Sequence, residues 1–311
     1  MNLCKLVTQY IELKQSMGMR FHSDAVILRA FCKSVGDGEI ENVTPEAVST
    51  YLSGTGTLSS FWYRKYGTLN GFYRYAMDRG YVRSSPLPLM IPKPPIPFVA
   101  YIYTPEEFHQ LLQATALLDT ARYHIDALTF RTLMLLLFNT GLRIGEAMEL
   151  TVSDVAISTN LITIRNSKFF KSRLVPIDPR LGKVLHQYAA KTHTIASPET
   201  PFFVKRNGGS LTHQCLERAF RFLCERCGIR REDIARYQPR IHDIRHTFAV
   251  HRLLEWYRQG ADVQCLLSHL ATYLGHVNIS ATQRYLRMTP ELLHQASKRF
   301  EHYAFSEVTH G

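Results

Sequence analysis

The sequence predicts a mainly α protein in two units, with a small β-sheet confined to the second. Three observations predict it. Apolar residues recur at helical spacing through most of the 311 residues, six prolines crowd the stretch from Pro86 to Pro97, and a β-branched pair of segments, 161–166 and 173–176, alternates as a hairpin does. A chain of this length exceeds one ordinary domain of about 100–200 residues, so each unit is expected to bury its own core.

Apolar periodicity before the prolines predicts helices over 3–17, 22–35, 45–52 and 58–77, a bundle of four or five. Thr44-Pro45-Glu46 marks one start: a hydroxyl cap, a proline at the first helical position and an acid at the positive end of the helix dipole. The last of these helices and the chain after it interleave Arg64, Lys65, Arg74, Arg79, Arg83 and Lys93 with Phe61, Trp62, Tyr63, Tyr66, Phe72, Tyr73, Tyr75 and Tyr81, opposed only by Asp78. Such a mixture can neutralise phosphates while some aromatics pack and others touch sugar or base. It also fits the solvated basic face of an amphipathic helix.

The proline stretch reads as an extended, semi-rigid linker over 96–103, dividing a first domain, 1–95, from a second, 104–311. Thr104-Pro105-Glu106-Glu107 repeats the helix-start pattern. Helices follow over 105–116 and 125–140, then the hairpin, then a helix over 211–227 closed by Gly228, and further helices to about 303.

Thirty-seven Lys and Arg against 26 Asp and Glu leave a net charge of +11, which favours a polyanionic partner, either nucleic acid or an anionic membrane surface. No window approaches the roughly 18 apolar residues of a membrane helix, so no membrane partner is expected. The first ten residues lack the apolar core of a signal peptide, which places the protein in the cytoplasm, with its six cysteines reduced. Cys224 and Cys227 have metal-like spacing, but no second pair accompanies them, and one helical turn accounts for the interval.

Four separated fragments of the second domain carry chemistry. Asn139-Thr140-Gly141-Leu142-Arg143 ends an apolar helix at a glycine and opens the next with an arginine, whose fork suits a phosphate. Ser167-Lys168-Phe169-Phe170-Lys171 puts lysines on the hairpin turn, where an ammonium can reach a substrate oxygen; taken singly, either fragment is as well a surface charge. His242 and Arg245, three apart, share one helix face and aim a proton carrier and a guanidinium at the same place. Finally, Leu274-Gly275-His276 offers a histidine beside a glycine turn, and Tyr285 follows nine positions later on a helix that Ser280 can cap.

In their order and spacing these fragments resemble the tyrosine recombinase, or phage integrase, family. The resemblance covers roughly 104–302, and the layout is similar to the minimal two-domain build of the Cre and Xer recombinases. It implies a SAM-like all-α core-binding domain followed by an α+β catalytic domain, and an enzyme that cuts and rejoins double-stranded DNA at inverted-repeat core sites through a 3′-phosphotyrosine and a Holliday junction. The implied catalytic set is Arg143, Lys168, His242, Arg245, His276 and Tyr285. Arg143, Arg245 and His276 would hold the non-bridging oxygens, Tyr285 would be the nucleophile, His242 its base and Lys168 the general acid, with Lys171 the competitor on the same turn. Glu146, one turn beyond Arg143, could orient that arginine or be an exposed carboxylate. The resemblance further implies no metal or other cofactor, a dimer on each site and a homo- or hetero-tetramer on DNA joined through a final helix over 289–303, and work at the nucleoid of a bacterium.

Two other readings compete. His242 and His246 have the H-x-x-x-H spacing of a zinc hydrolase, with His276 as a third ligand, yet Asp243 is shorter than the glutamate such enzymes use as a base, and Arg245 sets a fixed positive charge beside the metal. A catalytically silent accessory DNA-binding homologue is the alternative within the family, and the presence of all six positions argues against it.

Overall fold

The computed structural model describes residues 1–54, 58–93, 99–119, 123–165, 172–193, 197–232, 238–276, 278–287, 291–294 and 297–298. Its chain divides into two compact units, Met1–Pro97 and Phe98–Gly311.

Among the described residues, four α-helices build the first unit: α1 (Leu3–Ser16), α2 (His22–Val35), α3 (Pro45–Ser53) and α4 (Ser60–Asp78). Side-chain oxygens start two of them, Asn2 accepting from the Lys5 N–H at 2.9 Å and Thr44 from the Ala47 N–H at 3.2 Å. The core gathers Leu3, Leu6, Leu28, Phe31, Leu69, Phe72 and Tyr73. On α4 the mixed sequence sorts by face: Trp62, Leu69, Phe72, Tyr73 and Ala76 are buried, while Arg64, Arg74 and Arg79 are exposed. Lys65 lies 4.5 Å from the Tyr51 ring centroid and donates to the Tyr51 carbonyl at 2.7 Å. The chain after α4 stays tied to it, because the Tyr63 and Tyr66 hydroxyls donate to the carbonyls of Pro92 (2.9 Å) and Pro88 (3.3 Å).

The second unit runs α5 (Pro105–Ala114), α6 (Ala127–Thr140), α7 (Ile144–Met148), a three-stranded antiparallel sheet, then α8 (Pro179–Thr192), α9 (His213–Arg226), α10 (Asp243–Arg258), α11 (Val263–Leu274) and α12 (Ser280–Gln283). Strands β1 (Val155–Ala156), β2 (Leu161–Ile164) and β3 (Arg173–Pro176) lie in that order, with Ile164 opposite Arg173 and Leu161 opposite Pro176. Helix α6 is buried on most of its circumference through Phe130, Leu133, Met134, Leu136 and Leu137, and so forms the spine of the unit. A capping box starts α5, Thr104 and Glu107 each bonding the other's backbone N–H at 3.1 and 2.9 Å.

Several boundaries differ from the sequence expectation for local reasons. The helix expected over 105–116 stops at Ala114 and tightens into a 3₁₀ turn, Thr115–Leu118, where the Thr115 hydroxyl donates to the Leu112 carbonyl at 2.7 Å. Strand β1 went unanticipated because two residues show no periodicity. The second unit also starts ahead of position 104: Ala100 and Tyr103 are buried, and Tyr103 bonds Thr247 and Arg240 of the α10 region, both at 3.0 Å. The Cys224–Cys227 interval is the last turn of α9, with Cys224 buried and Gly228 beyond it at φ +67°.

Candidate active site

Three helix ends meet in the second unit. Helix α6 stops at Gly141, which adopts φ +61°, and the chain re-enters helix at α7 with Arg143 as its N-cap residue. No side chain fits at position 141, since an added Cβ would lie 2.4 Å from Phe248 Cδ1. Helix α11 likewise ends at a left-handed glycine, Gly275 at φ +68°, with the His276 N–H returning to the Ala271 carbonyl at 2.8 Å.

Helix ends leave carbonyls without intrahelical partners, and those of α11 carry the negative end of the helix dipole. Here three successive carbonyls each take an arginine. Tyr273 accepts from Arg173 Nε at 2.9 Å, Leu274 from Arg245 Nη2 at 2.8 Å and Gly275 from Arg143 Nη2 at 3.0 Å. Arg245 also donates through Nη1 to the Gly141 carbonyl at 2.7 Å, so one guanidinium joins both glycine turns.

Glu146 supplies the counter-charge. Its carboxylate accepts from the Arg143 N–H (3.0 Å), from Arg143 Nη1 (2.7 Å) and from both terminal nitrogens of Arg173 (3.1 and 2.8 Å). Burial alone would raise its pKa, but the bonds from Arg173 and Arg143 dominate and hold it at about 2. Glu146 is therefore no exposed helix carboxylate. Arg245 is 4% exposed; burial, with Arg143 as neighbour, lowers its pKa to about 10, which leaves it cationic at neutral pH.

His276 sits at the mouth of this cluster. Its Nε2 lies 3.0 Å from Arg245 Nη2 and its Nδ1 lies 2.7 Å from the hydroxyl of Thr282, a residue with no solvent exposure. Its ring is nearly parallel to that of Tyr285, with centroids 6.0 Å apart. Burial first, then Arg245, Arg143, Arg173 and Arg284, lower its pKa to about 4, so it is neutral at pH 7. Tyr285 is buried in the 3₁₀ turn Arg284–Arg287 that follows α12, and the edge of its ring environment is His246, 5.5 Å away. His246 touches His242 in turn at 5.4 Å, and its Nδ1 is buried with no hydrogen-bond partner among the described residues.

The structure thus brings together Arg143, Arg245, His276 and Tyr285. His242, the residue ahead of α10, is partly open to solvent, and its ring meets His246, which in turn meets Tyr285; partial burial, then Arg245 and Arg240, lower its pKa below the usual imidazole range. Lys168 and its competitor Lys171 lie outside the described residues. Ser280 does not cap the tyrosine helix: it is already helical, and Asn278 Oδ1 accepts from the Ala281 N–H at 3.1 Å instead. Sequence reasoning missed Arg173, Thr282 and the contact of His246 with the tyrosine. An arginine opening the strand beside a lysine-bearing turn was the available signal for the first, and a hydroxyl three residues before the tyrosine for the second.

Two arginines and a histidine converging beside a buried phenol form an arrangement suited to a phosphate ester, with donors for its charged oxygens and a nucleophile for its phosphorus. Residues 107–291 match the model of the Phage integrase family, and the chain belongs to that family, the tyrosine-type site-specific recombinases. The chain is 32% identical over 302 residues to y4rB of Sinorhizobium fredii, named for an inferred integrase/recombinase role, covering 95% of this chain and 96% of that one. It is 30% identical over 289 residues to the tyrosine recombinase XerC of Oceanobacillus iheyensis, covering 89% and 87%. Among solved structures, the fold is similar to the Tn1549 transposon integrase in complex with transposon right end DNA (TM-score 0.71, 18% identity, 98% of this chain and 100% of that one). It is also similar to a lambda integrase dimer bound to a COC′ core site (TM-score 0.67, 17% identity, 93% and 78%).

Proposed function

We propose that the protein recombines double-stranded DNA at inverted-repeat core sites by transesterification at Tyr285. The Tyr285 oxygen forms a bond to the scissile phosphorus, the bond from phosphorus to the 5′ oxygen breaks, and a 3′-phosphotyrosine holds the bond energy for religation. Arg143, Arg245 and His276 stabilise the charge that grows on the non-bridging oxygens, His242 takes the phenol's proton and Lys168 returns one to the departing 5′ oxygen. In this reading the positive charge comes from the arginines, and neither a metal nor a nucleotide cofactor takes part. Two such exchanges pass through a Holliday junction. The first unit reads the core site as a SAM-like core-binding domain through the basic face of α4, two protomers occupy each site, and the chain from 289 onward joins four into a tetramer at the nucleoid, in the cytoplasm.

The observation that carries this reading is the meeting of Arg143, Arg245 and His276 at the end of α11 beside the Tyr285 ring. Leu292, within the final segment, is buried in the same core as Phe248 and Tyr285. Nicked suicide duplexes made from the inverted repeats flanking the gene test the reaction. Wild type is expected to give a protease-sensitive covalent adduct on a denaturing gel, and Tyr285→Phe none, with equal gel shifts. If wild type gives no adduct on DNA that it shifts, the reading fails and a binding-only role replaces it.

A further inference from the structure

Arg245 dictates the tautomer of His276. A guanidinium donates and never accepts, so the His276 Nε2 that faces Arg245 Nη2 at 3.0 Å must be the bare nitrogen of the ring. The proton of the neutral ring is then on Nδ1, where it is donated to Thr282 Oγ1 at 2.7 Å. The charged groups that act most strongly on this ring are positive, Arg245 from α10, Arg143 ahead of α7, Arg173 from β3 and Arg284 after α12, with Glu146 bonded to Arg143 and Arg173 among them. They disfavour an imidazolium and keep the free protein in this state.

In that state His276 presents a lone pair, not an N–H, to Arg245, the residue that meets the phosphate oxygens in the proposed function. Donation to the phosphate requires a proton on Nε2. It can come by tautomerisation, which makes Nδ1 an acceptor, or by protonation once an anion offsets the arginines, which leaves Nδ1 a donor. A hydroxyl serves either case, since it both donates and accepts. Thr282 is fully buried and fixed on α12, with its N–H on the Ile279 carbonyl at 2.8 Å.

We propose that Thr282 is a positioning residue whose reversible hydrogen bond holds the His276 ring in one plane while its Nε2 changes from acceptor to donor on binding the scissile phosphate. This rests on His276 being a phosphate donor, as proposed above. Sequence spacing places the hydroxyl three residues before the nucleophile, so one short turn holds both the tyrosine and the histidine's support.

Long-range ¹H–¹⁵N spectra of the DNA-free full chain, with His276 assigned by His276→Gln, test the resting state: Nδ1–H is expected, and an Nε2–H pattern overturns the proposal. Covalent adduct formation on the nicked duplexes tests its use. Thr282→Val, close in shape and without a hydroxyl, is expected to slow cleavage by about 10- to 100-fold with an unchanged gel shift, and Thr282→Ser to restore it. In a His276→Ala background Thr282→Val is expected to cost nothing further. A wild-type rate in Thr282→Val, or an equal loss with and without His276, overturns the proposal. If Thr282→Val does not fold, the spectra and Thr282→Ser carry the test, and a slow Thr282→Ser counts against it. A wild-type rate in His276→Ala itself removes the donor reading, and this proposal with it.

Discussion

The basic helix of the first unit and the arginine cluster of the second carry the same kind of charge under opposite conditions. On α4, Arg64, Arg74 and Arg79 are solvated, and the buried face is apolar and aromatic. At the end of α11, Arg245 and Glu146 are buried, and Arg143, Arg173 and Arg245 each donate to named carbonyls, to one carboxylate or to His276. Solvated charge is inexpensive and contributes little to stability, whereas buried charge survives only when its hydrogen bonds are complete. The first region can change its charges without changing its fold. The second cannot, and that is the condition under which donors are rigid before a substrate arrives.

Removing Glu146 breaks this contrast most directly. Glu146→Ala leaves Arg143 and Arg173 facing each other without a counter-charge, and a loss of about 3–5 kcal/mol in denaturant unfolding is expected. A loss no larger than that of a surface substitution would place the cluster in the same class as α4.

Acid sharpens the comparison next. His246 and His276 ionise at about 3 and about 4 in the folded chain against 6.5 for a free imidazole, chiefly because both are buried. Below 6.5 the unfolded chain binds protons that the folded chain refuses, so stability is full above that pH and falls progressively toward about 3. Thermal unfolding followed from pH 7 to pH 4 should show a falling melting temperature, and replacing His246 with Gln should flatten the slope. An unchanged slope would mean that His246 is not held neutral by its surroundings.

The smallest expected effect lies on the first unit. Arg74→Ala should alter stability by less than about 0.5 kcal/mol. If α4 meets DNA, the same change should lower affinity and reduce the salt dependence of binding by about one charge. Equal salt slopes would leave α4 as a solvated face only.

The two regions were also unequally legible. Helices α1 to α4 follow from local signals, since an i, i+3, i+4 apolar face and, for α3, the cap at Thr44 lie within a few residues of one another. In the second unit the glycine turns and the residues beside them, Arg143, Arg245, His276 and Tyr285, were legible because a motif holds each in local order. Arg173 was not: it reaches Glu146, 27 residues away, and the Tyr273 carbonyl, 100 residues away, and no periodicity records such a contact. Nor was Thr282, because a buried hydroxyl and an exposed one look alike in sequence. His246 was weighed as a metal ligand from its spacing to His242, whereas the fold turns it against Tyr285.

If the arginines at the end of α11 are held there to meet the negative charge of a phosphate, Arg143 is the one to remove, because Glu146 keeps Arg173 as a partner without it. The measurement is the cleavage rate of Arg143→Ala on a nicked duplex with an ordinary scissile phosphate and on one where a methyl group replaces a non-bridging oxygen. A loss of about a hundred- to a thousandfold is expected on the charged phosphate and a much smaller one on the neutral methylphosphonate. An equal loss on both would show that Arg143 shapes the pocket without answering charge, and would contradict the account.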